Sequence, residues 1–470
     1  MITIHILLWL ILAYYITLQG IYLILVLLGA TQAKSYRSGI TFEEFRRIGE
    51  SPLSMPVSLI IPCYNEEAII VATIRNALRL NYPQFEVIVV SDGSTDGSIQ
   101  VLKESFHLRR VDRFGRRHIL SEAILGVYES QEHPSLVVIE KVNGRRADAI
   151  NAAVTLSRYP LLCIIDADCV LETDALLHMA RPFLQDTSVA AVAGIVRPSN
   201  GLSIVDGEIL HNTLPKTLLG MNQEVEYARS FQWARIGLCR LKSMLCISGA
   251  LLLIKKSIFE EVGGSWPQAI TDDIEFTMRL NRHIHDRRRK DHAHLVFVPD
   301  AVCYTEIPEE ICQYASQRNR WQRGTIQALF RNAGMIFNPR YGMTGLFGMP
   351  FFLIFEALAA IVEVSAWILM VVCLVLGIAS GFEIIAMIYL AFILGVFLSL
   401  TAVLLTESSR LRAANWRDFW RLILAILLDN LGFHQFHLII RVIGTFQYLI
   451  GRKDLGAVMT RNGNNSPITK

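Results

Sequence analysis

Residues 161–168 read Leu-Leu-Cys-Ile-Ile-Asp-Ala-Asp, five apolar residues ending abruptly in two carboxylates at i and i+2. An apolar run this short, closed by turn chemistry, fits a strand buried on both faces. Two aspartates at such a strand end can share a divalent cation and a diphosphate, because Mg²⁺ takes one or two carboxylates plus substrate phosphate oxygens. Similar β-branched runs recur at Val57–Ile61, Val87–Val90, Leu136–Ile139, Val189–Val196, Ala250–Ile254 and Leu295–Val298. Helical patterns such as Glu66–Leu80 and Arg146–Leu156 separate several of them. Strands alternating with helices predict an α/β domain with a mostly parallel sheet and helices on both faces. In open α/β sheets ligands lie beyond the carboxyl ends of the strands. Three such ends carry Pro62-Cys63-Tyr64-Asn65-Glu66-Glu67, Ser91-Asp92-Gly93-Ser94-Thr95-Asp96-Gly97 and Asp166-Ala167-Asp168. Taken alone, each of the first two is ordinary turn and helix-cap chemistry.

Outward from this domain the composition changes. The 470 residues carry 45 Lys+Arg and 42 Asp+Glu, a net charge of +3, and are 52% hydrophobic but only 19% charged. That charge fraction lies below the roughly 25% of a soluble domain. Disorder, collagen-like and small disulfide-rich classes are excluded, and the near-neutral charge carries no polyanion signature, so nucleic acid is not an expected partner. The apolar excess sits at the two ends. No Asp, Glu, Lys or Arg occurs from Met1 to Ala33, and the run from Ile6 to Leu28 is long enough to span a bilayer. A retained anchor over 1–33 is expected rather than a cleaved signal, since only His5 precedes the run. Lys34, Arg37, Arg46 and Arg47 follow and place the next domain, 50–340, in the cytoplasm.

The second apolar region, 341–452, reads as transmembrane and interfacial helices, with 453–470 a cytoplasmic tail. Leu346–Ile378 carries only Glu356 and Glu363 and exceeds one straight span, so an interfacial piece up to Glu356 is expected before a crossing. Ile384–Leu405 is uncharged, and Arg410, Arg412, Arg417 and Arg421 return the chain to the cytoplasmic side. Leu422–Ile450, interrupted by Asp429, Asn430, His434, Gln435 and His437, is read as a re-entrant or interfacial segment, with a crossing as the alternative. The eight cysteines form no C-x-x-C pair and are read as reduced core fillers. The basic run Arg279–Lys290 is read as a solvated loop, the nearby His283, His285, His292 and His294 as surface residues, and Gly263-Gly264 as a turn. Asn222–Leu241 looks helical, with no role assigned.

Seven segments stand in order: SLIIPCYNEE (58–67), VIVVSDGSTDGS (87–98), KVNGRRADAINAAV (141–154), IIDADCVLETDAL (164–176), SGALLLIKKSIFEEVGG (248–264), TDDIEF (271–276) and QRNRWQRG (317–324). In these the sequence resembles the membrane-bound family 2 glycosyltransferases, the cellulose, hyaluronan and poly-N-acetylglucosamine synthases, from about Val57 to Gly456. The resemblance implies a nucleotide-sugar-binding domain of GT-A type flanked by transmembrane helices. It implies that Tyr64, Glu66 and Arg146 contact the nucleotide, Asp92 the uracil, and Asp166 the ribose or diphosphate. Asp168, with Asp166, would hold Mg²⁺ or Mn²⁺; Asp273, beside Asp272, would be the general base. Gln317, Arg318, Arg320 and Trp321 match the motif of processive members and would serve the acceptor and diphosphate. Two departures stand out: Gly-Gly-Lys-Ala-Asp-Ala appears as Gly144-Arg145-Arg146-Ala147-Asp148-Ala149, and Thr-Glu-Asp as Thr271-Asp272-Asp273.

These roles are chemically coherent. Inverting transfer needs a carboxylate for the incoming hydroxyl and positive charge for the leaving diphosphate. On a helix, Gln317, Arg320 and Trp321 share one face. The expected activity is inverting, metal-dependent, processive transfer of a hexose or N-acetylhexosamine from a UDP-sugar to a β-linked polysaccharide, in an integral plasma or inner membrane protein. The alternatives are transfer of one sugar to a lipid acceptor, and a non-catalytic membrane partner that retains the fold. A small membrane partner and a homo-oligomer are both compatible with the sequence.

Overall fold

Burial on both faces selects the strands. β1 (Val57–Cys63), β2 (Phe85–Asp92), β5 (Leu136–Lys141), β6 (Leu161–Ile164) and β8 (Val189–Pro198) are almost entirely buried. The remaining strands are β3 (Leu108–Val111), β4 (Ile124–Ser130), β7 (Val170–Leu171), β9 (Leu202–Val205), β10 (Glu208–Asn212), β11 (Leu252–Lys255) and β12 (His294–Thr305). A computed structural model describes residues 2–38, 54–115, 119–378, 380–409, 412 and 416–452. Arg46, Arg47, Arg410 and the tail 453–470, all used in the sequence reading, lie outside the described residues.

Ten strands form one sheet in the order β3-β4-β5-β2-β1-β6-β11-β8-β12-β7, and β9 pairs with β10 in a separate hairpin. The centre of the sheet has the expected parallel character. β5, β2, β1 and β6 run parallel, as do β8 and β12. The sheet as a whole is mixed, because β11 is antiparallel to both β6 and β8, and β3, β4 and β7 are antiparallel to their neighbours. An apolar run reports burial and not direction, so the sense of β11 was not readable from its sequence. The four parallel strands end on one side of the sheet, which gathers Cys63, Asp92, Lys141 and the segment leading to Asp166 there.

Chain contacts separate an α/β unit (Ala33–Thr213 and Met244–Ile307) from a helical one (the first helix to Gln32, Leu214–Ser243, and the chain from Pro308). These boundaries are drawn by packing, whereas the 50–340 span is drawn by composition. Within the α/β unit the basic run expected as a solvated loop lies in the helix Asp272–Asp291. Asp272, Asp273 and Glu275 in its first turn suit the positive end of the helix dipole. Arg279 pairs with Glu275 at 2.7 Å, and its guanidinium donates to the carbonyls of Val262 and Gly264. Gly263 and Gly264 form the expected turn, both at positive φ. Of the cysteines, 63, 163, 169, 303 and 373 are buried as expected, while Cys312 is exposed.

In the helical unit three helical stretches are long and apolar enough to cross a membrane: Ile6–Arg37, Gly381–Ser409 and Trp416–Leu449. A fourth candidate is a pair, Thr344–Ala357 and Ala359–Val375, bent by 41°. Its break lies beside Glu356, where the sequence suggests a change from interfacial to crossing helix. Most of Leu422–Ile450 lies within Trp416–Leu449, a helical stretch long and apolar enough to cross by length and composition. Its polar residues are paired: Asp429 with Arg229 at 3.4 Å, His434 with Glu363 at 3.0 Å, His437 with the Tyr314 hydroxyl at 2.7 Å. A wide turn at Asp429–Phe433 absorbs the interruption without breaking the helix. Close approach is set by small residues: a Cβ on Gly237 would lie 2.2 Å from the Leu25 carbonyl oxygen, and one on Gly29 2.4 Å from that of Trp233.

One side chain fixes the segment that follows Asp166-Ala167-Asp168. Asn76 is 6% exposed; its amide donates to the carbonyls of Leu171 (3.1 Å) and Gly207 (2.8 Å), and its oxygen accepts from the Leu171 N–H (2.8 Å). Replacing it by alanine leaves three buried backbone groups unpaired, an expected loss of about 2–3 kcal/mol. Thermal unfolding of the detergent-solubilised Asn76→Ala protein measures it. An unchanged Tm would show that these backbone groups find other partners.

Candidate active site

The loops after β1 and β2 are tied to each other before any ligand is considered. Asn65, at φ +56°, donates its N–H to Ser94 Oγ (3.2 Å), and its side-chain oxygen accepts from the Thr95 N–H (2.8 Å). The Glu66 N–H donates to Ser98 Oγ (2.9 Å), the Glu67 N–H to Asp96 Oδ2 (3.1 Å), and the Gly97 N–H to Glu67 Oε2 (2.9 Å). Burial is the largest single influence on Asp96 and raises its pKa, but the hydrogen bonds from Ser98 and Glu67 together outweigh it, so the net shift is downward. Burial pushes the neighbouring Cys63 thiol up to about 12, so it is not a nucleophile at neutral pH. Tyr64 stands at the rim with 39% of its surface exposed. Asp92 does not: it is 3% exposed, and its Oδ1 accepts from Lys141 Nζ (2.6 Å) and the Gly144 N–H (3.0 Å).

Arg146 joins three distant segments. Its Nε donates to Asp166 Oδ1 (2.7 Å), one terminal nitrogen to Asp272 Oδ2, and the other to the Gly249 carbonyl (2.8 Å). Burial works against the guanidinium charge, and Asp166 and Asp272 outweigh it, so its pKa is raised. The adjacent Asp273 meets backbone groups. Its Oδ1 accepts from the Ile274 N–H (2.8 Å) and its Oδ2 lies 3.4 Å from the Gly249 nitrogen. Asp168 Oδ2 accepts from the Thr305 hydroxyl (3.2 Å). Ligand atoms of Asp166, Asp168 and Cys169 lie within 4.8 Å of one another. The Cys169 thiol is pushed well up by burial and stays protonated, which leaves two hard carboxylates. That donor set suits Mg²⁺ or Mn²⁺, which would complete its shell with phosphate oxygens and water.

The Gln-Arg-x-Arg-Trp residues belong to the helical unit, on the helix Ile311–Arg331. Arg318 is buried, 2.6 Å from Glu226, with its guanidinium 4.1 Å from the Trp321 ring centroid and 4.7 Å from that of Tyr314. Phe231 meets Trp321 edge-on at 5.6 Å. Gln317, Arg320 and Trp321 are partly exposed, and no ion pair is formed by Arg320 among the described residues. Arg318 is thereby held between Glu226 and the Tyr314 and Trp321 rings.

A family profile described as glycosyltransferase-like family 2 matches residues 55–324, more than half of the chain. The chain belongs to that family. A second profile, described as chitin synthase, matches residues 280–440 of this glycosyltransferase. A poly-β-1,6-N-acetyl-D-glucosamine synthase of Staphylococcus epidermidis is 27% identical over 317 residues, 67% of this chain and 63% of that protein. The Staphylococcus aureus synthase is 26% identical over 277 residues, 59% and 56% of the two chains. The chain thus spans less than two thirds of the length of these relatives. In fold it is similar to a mannosyltransferase from Pyrobaculum calidifontis solved with GDP-Man and Mn²⁺, with a TM-score of 0.52 at 17% identity, covering 90% of this chain and 99% of that one. The GT-A-type α/β fold follows from that likeness.

Within this glycosyltransferase the family's second glycine is Arg145, at φ +75°. A non-glycine residue there carries strain of roughly 1–2 kcal/mol. Sequence reading passed over Lys141, Asp148, Gly249 and Glu226. Lys141 sat inside a recognised motif, but its burial beside two carboxylates depends on strand pairing that spacing does not reveal. Glu226 sat on the helix left without a role. Removing its carboxylate leaves the Arg318 charge buried and uncompensated. Glu226→Ala is expected to lose about 3 kcal/mol in thermal unfolding, and Glu226→Ala/Arg318→Met to lose less. A double variant as unstable as the sum of both would contradict the pairing.

Proposed function

We propose that this glycosyltransferase transfers a hexose or N-acetylhexosamine from a UDP-sugar, with inversion, to the end of a β-linked glycan at the membrane. We further propose that it does so processively and with the span 50–340, bounded by composition, in the cytoplasm. The observation that carries the reading is the convergence on Arg146. One guanidinium bonds Asp166, of the strand-end carboxylate pair, and Asp272, the immediate neighbour of Asp273. A carboxylate suited to a metal-bound diphosphate and the direct neighbour of a carboxylate suited to proton removal are thereby held around one cation, as a transfer between donor and acceptor requires.

On this reading Tyr64, Glu66 and Asp92 receive the nucleoside, and Asp166 and Arg146 the diphosphate end. Asp273 takes the proton of the acceptor hydroxyl as that oxygen bonds to the anomeric carbon and the bond to UDP breaks. Gln317, Arg320 and Trp321 serve the acceptor and the departing diphosphate, with Trp321 as a stacking surface for a sugar ring. Asp166 and Asp168 would hold Mg²⁺ or Mn²⁺, which when bound supplies positive charge to the leaving diphosphate. The names of the staphylococcal relatives support an N-acetylglucosamine donor and a β-1,6-linked polymer as the first combination to try. The helices that can cross a membrane support a multi-pass protein.

A screen of UDP-sugars for UDP release, with product size and linkage determined, tests this function. Polymer is expected; a single glycolipid would select the lipid-acceptor alternative. Asp273→Asn is expected to lower turnover by about 10²–10⁴-fold while UDP affinity stays within a few-fold. A fully active Asp273→Asn protein would remove the base assignment. Chelation with EDTA, or Asp168→Asn, should abolish turnover and the paramagnetic Mn²⁺ binding signal together. Turnover that persists in EDTA would refute metal dependence.

A further inference from the structure

We propose that Lys141 is a positioning residue of the donor site, setting the nucleobase end against the diphosphate end; this rests on the donor reading of Asp92 and Arg146. In the parallel ladder of β2 and β5, Lys141 is the register partner of Asp92, the last residue of β2. The lysine is completely buried and touches no solvent. Its ammonium lies 2.6 Å from Asp92 Oδ1, 2.6 Å from Asp148 Oδ2 and 2.6 Å from the Val142 carbonyl oxygen. An ammonium has three donors, and all three are used.

Its two carboxylates belong to the two ends of the donor site. Asp92 closes β2. Asp148 is in the first turn of the helix Arg145–Leu156, two residues beyond Arg146, which binds Asp166 and Asp272. The junction is tight: a Cβ on Gly144 would sit 2.4 Å from Asp148 Oδ2. Asp148 also accepts the Glu122 N–H with both oxygens at 3.1 Å, which holds the segment before β4. Two buried carboxylates and one ammonium sum to one negative charge. Without the ammonium the carboxylates repel, and β2 and the helix lose their common reference. A guanidinium cannot direct three bonds from one nitrogen, so this position requires lysine rather than arginine.

The test uses the full-length protein in detergent, with UDP and GDP binding measured by calorimetry. Lys141→Met alone strands two charges and is at risk of misfolding, so it is paired with Asp148→Asn; Lys141→Arg is the second variant. Both are expected to unfold cooperatively and to bind UDP about tenfold more weakly, with donor KM raised to match and kcat at saturating donor changed far less. The preference for UDP over GDP should fall as well, which a loss of general stability would not produce. In an Asp92→Asn background, adding Lys141→Met/Asp148→Asn should cost little further UDP affinity. A folded variant with UDP affinity within twofold of the parent, or with kcat lost and KM unchanged, overturns the assignment while leaving the donor reading intact. A parent protein that binds no UDP overturns the donor reading itself.

Discussion

The contact on which the candidate site depends is the guanidinium of Arg146. Residues 146, 166, 249 and 272 are scattered over more than a hundred positions of chain, and one side chain bonds to the other three. A planar fork with five donors can do this; a lysine would reach one or two of these acceptors at a time. The departure from the family's lysine is therefore not a conservative exchange. It converts a point charge into a brace between the strand-end carboxylates and the first turn of the helix Asp272–Asp291. Neighbouring Arg145, forced into the left-handed region where the family has glycine, shows that this turn keeps its shape even against a local cost.

The brace also creates asymmetry. Asp166 and Asp168 stand two residues apart, Asp272 and Asp273 are adjacent, and Arg146 divides each pair in the same way by bonding one member. Asp166 and Asp272 donate nothing and accept from the guanidinium, while Asp168 accepts from a hydroxyl and Asp273 from backbone N–H groups. Neighbours of the same chemical type become unequal because a direct guanidinium contact holds one of them in place.

The helical unit obeys the opposite constraint. There, polar groups sit among apolar helices and stay only if each is paired. Arg229 with Asp429, Glu363 with His434, Arg318 with Glu226 and Arg412 with Glu224 satisfy that rule, and the pairs join segments far apart in sequence. In Leu422–Ile450 such pairings give the polar interruptions partners without ending the helical stretch. A polar residue scores as a break in an apolar run whether it faces lipid or a partner, and its partner is chosen by tertiary packing. The helix Leu218–Glu226 and its continuation, featureless in sequence, supply several of those partners.

What was legible in the sequence follows from the same distinction. Strands buried on both faces announce themselves through unbroken apolar runs, so β1, β2, β5, β6, β8 and parts of β11 and β12 were readable, as were the strand-end carboxylates. The edge strand β3, Leu-Arg-Arg-Val with two exposed arginines, has no such signature, and neither does the two-residue β7. Direction is carried by connections rather than by composition, so the antiparallel β11 was not readable. Pairwise roles were the least accessible. Asp92 reads as a ligand contact from its motif, yet its Oδ1 is taken by a lysine 49 positions away in chain. A motif gives the residue types that a reaction needs, whereas the division of labour among them is set by which charges the fold brings within hydrogen-bonding reach. In this chain Arg146 and Lys141 bring those charges together, and both sit where β5 gives way to the following helix.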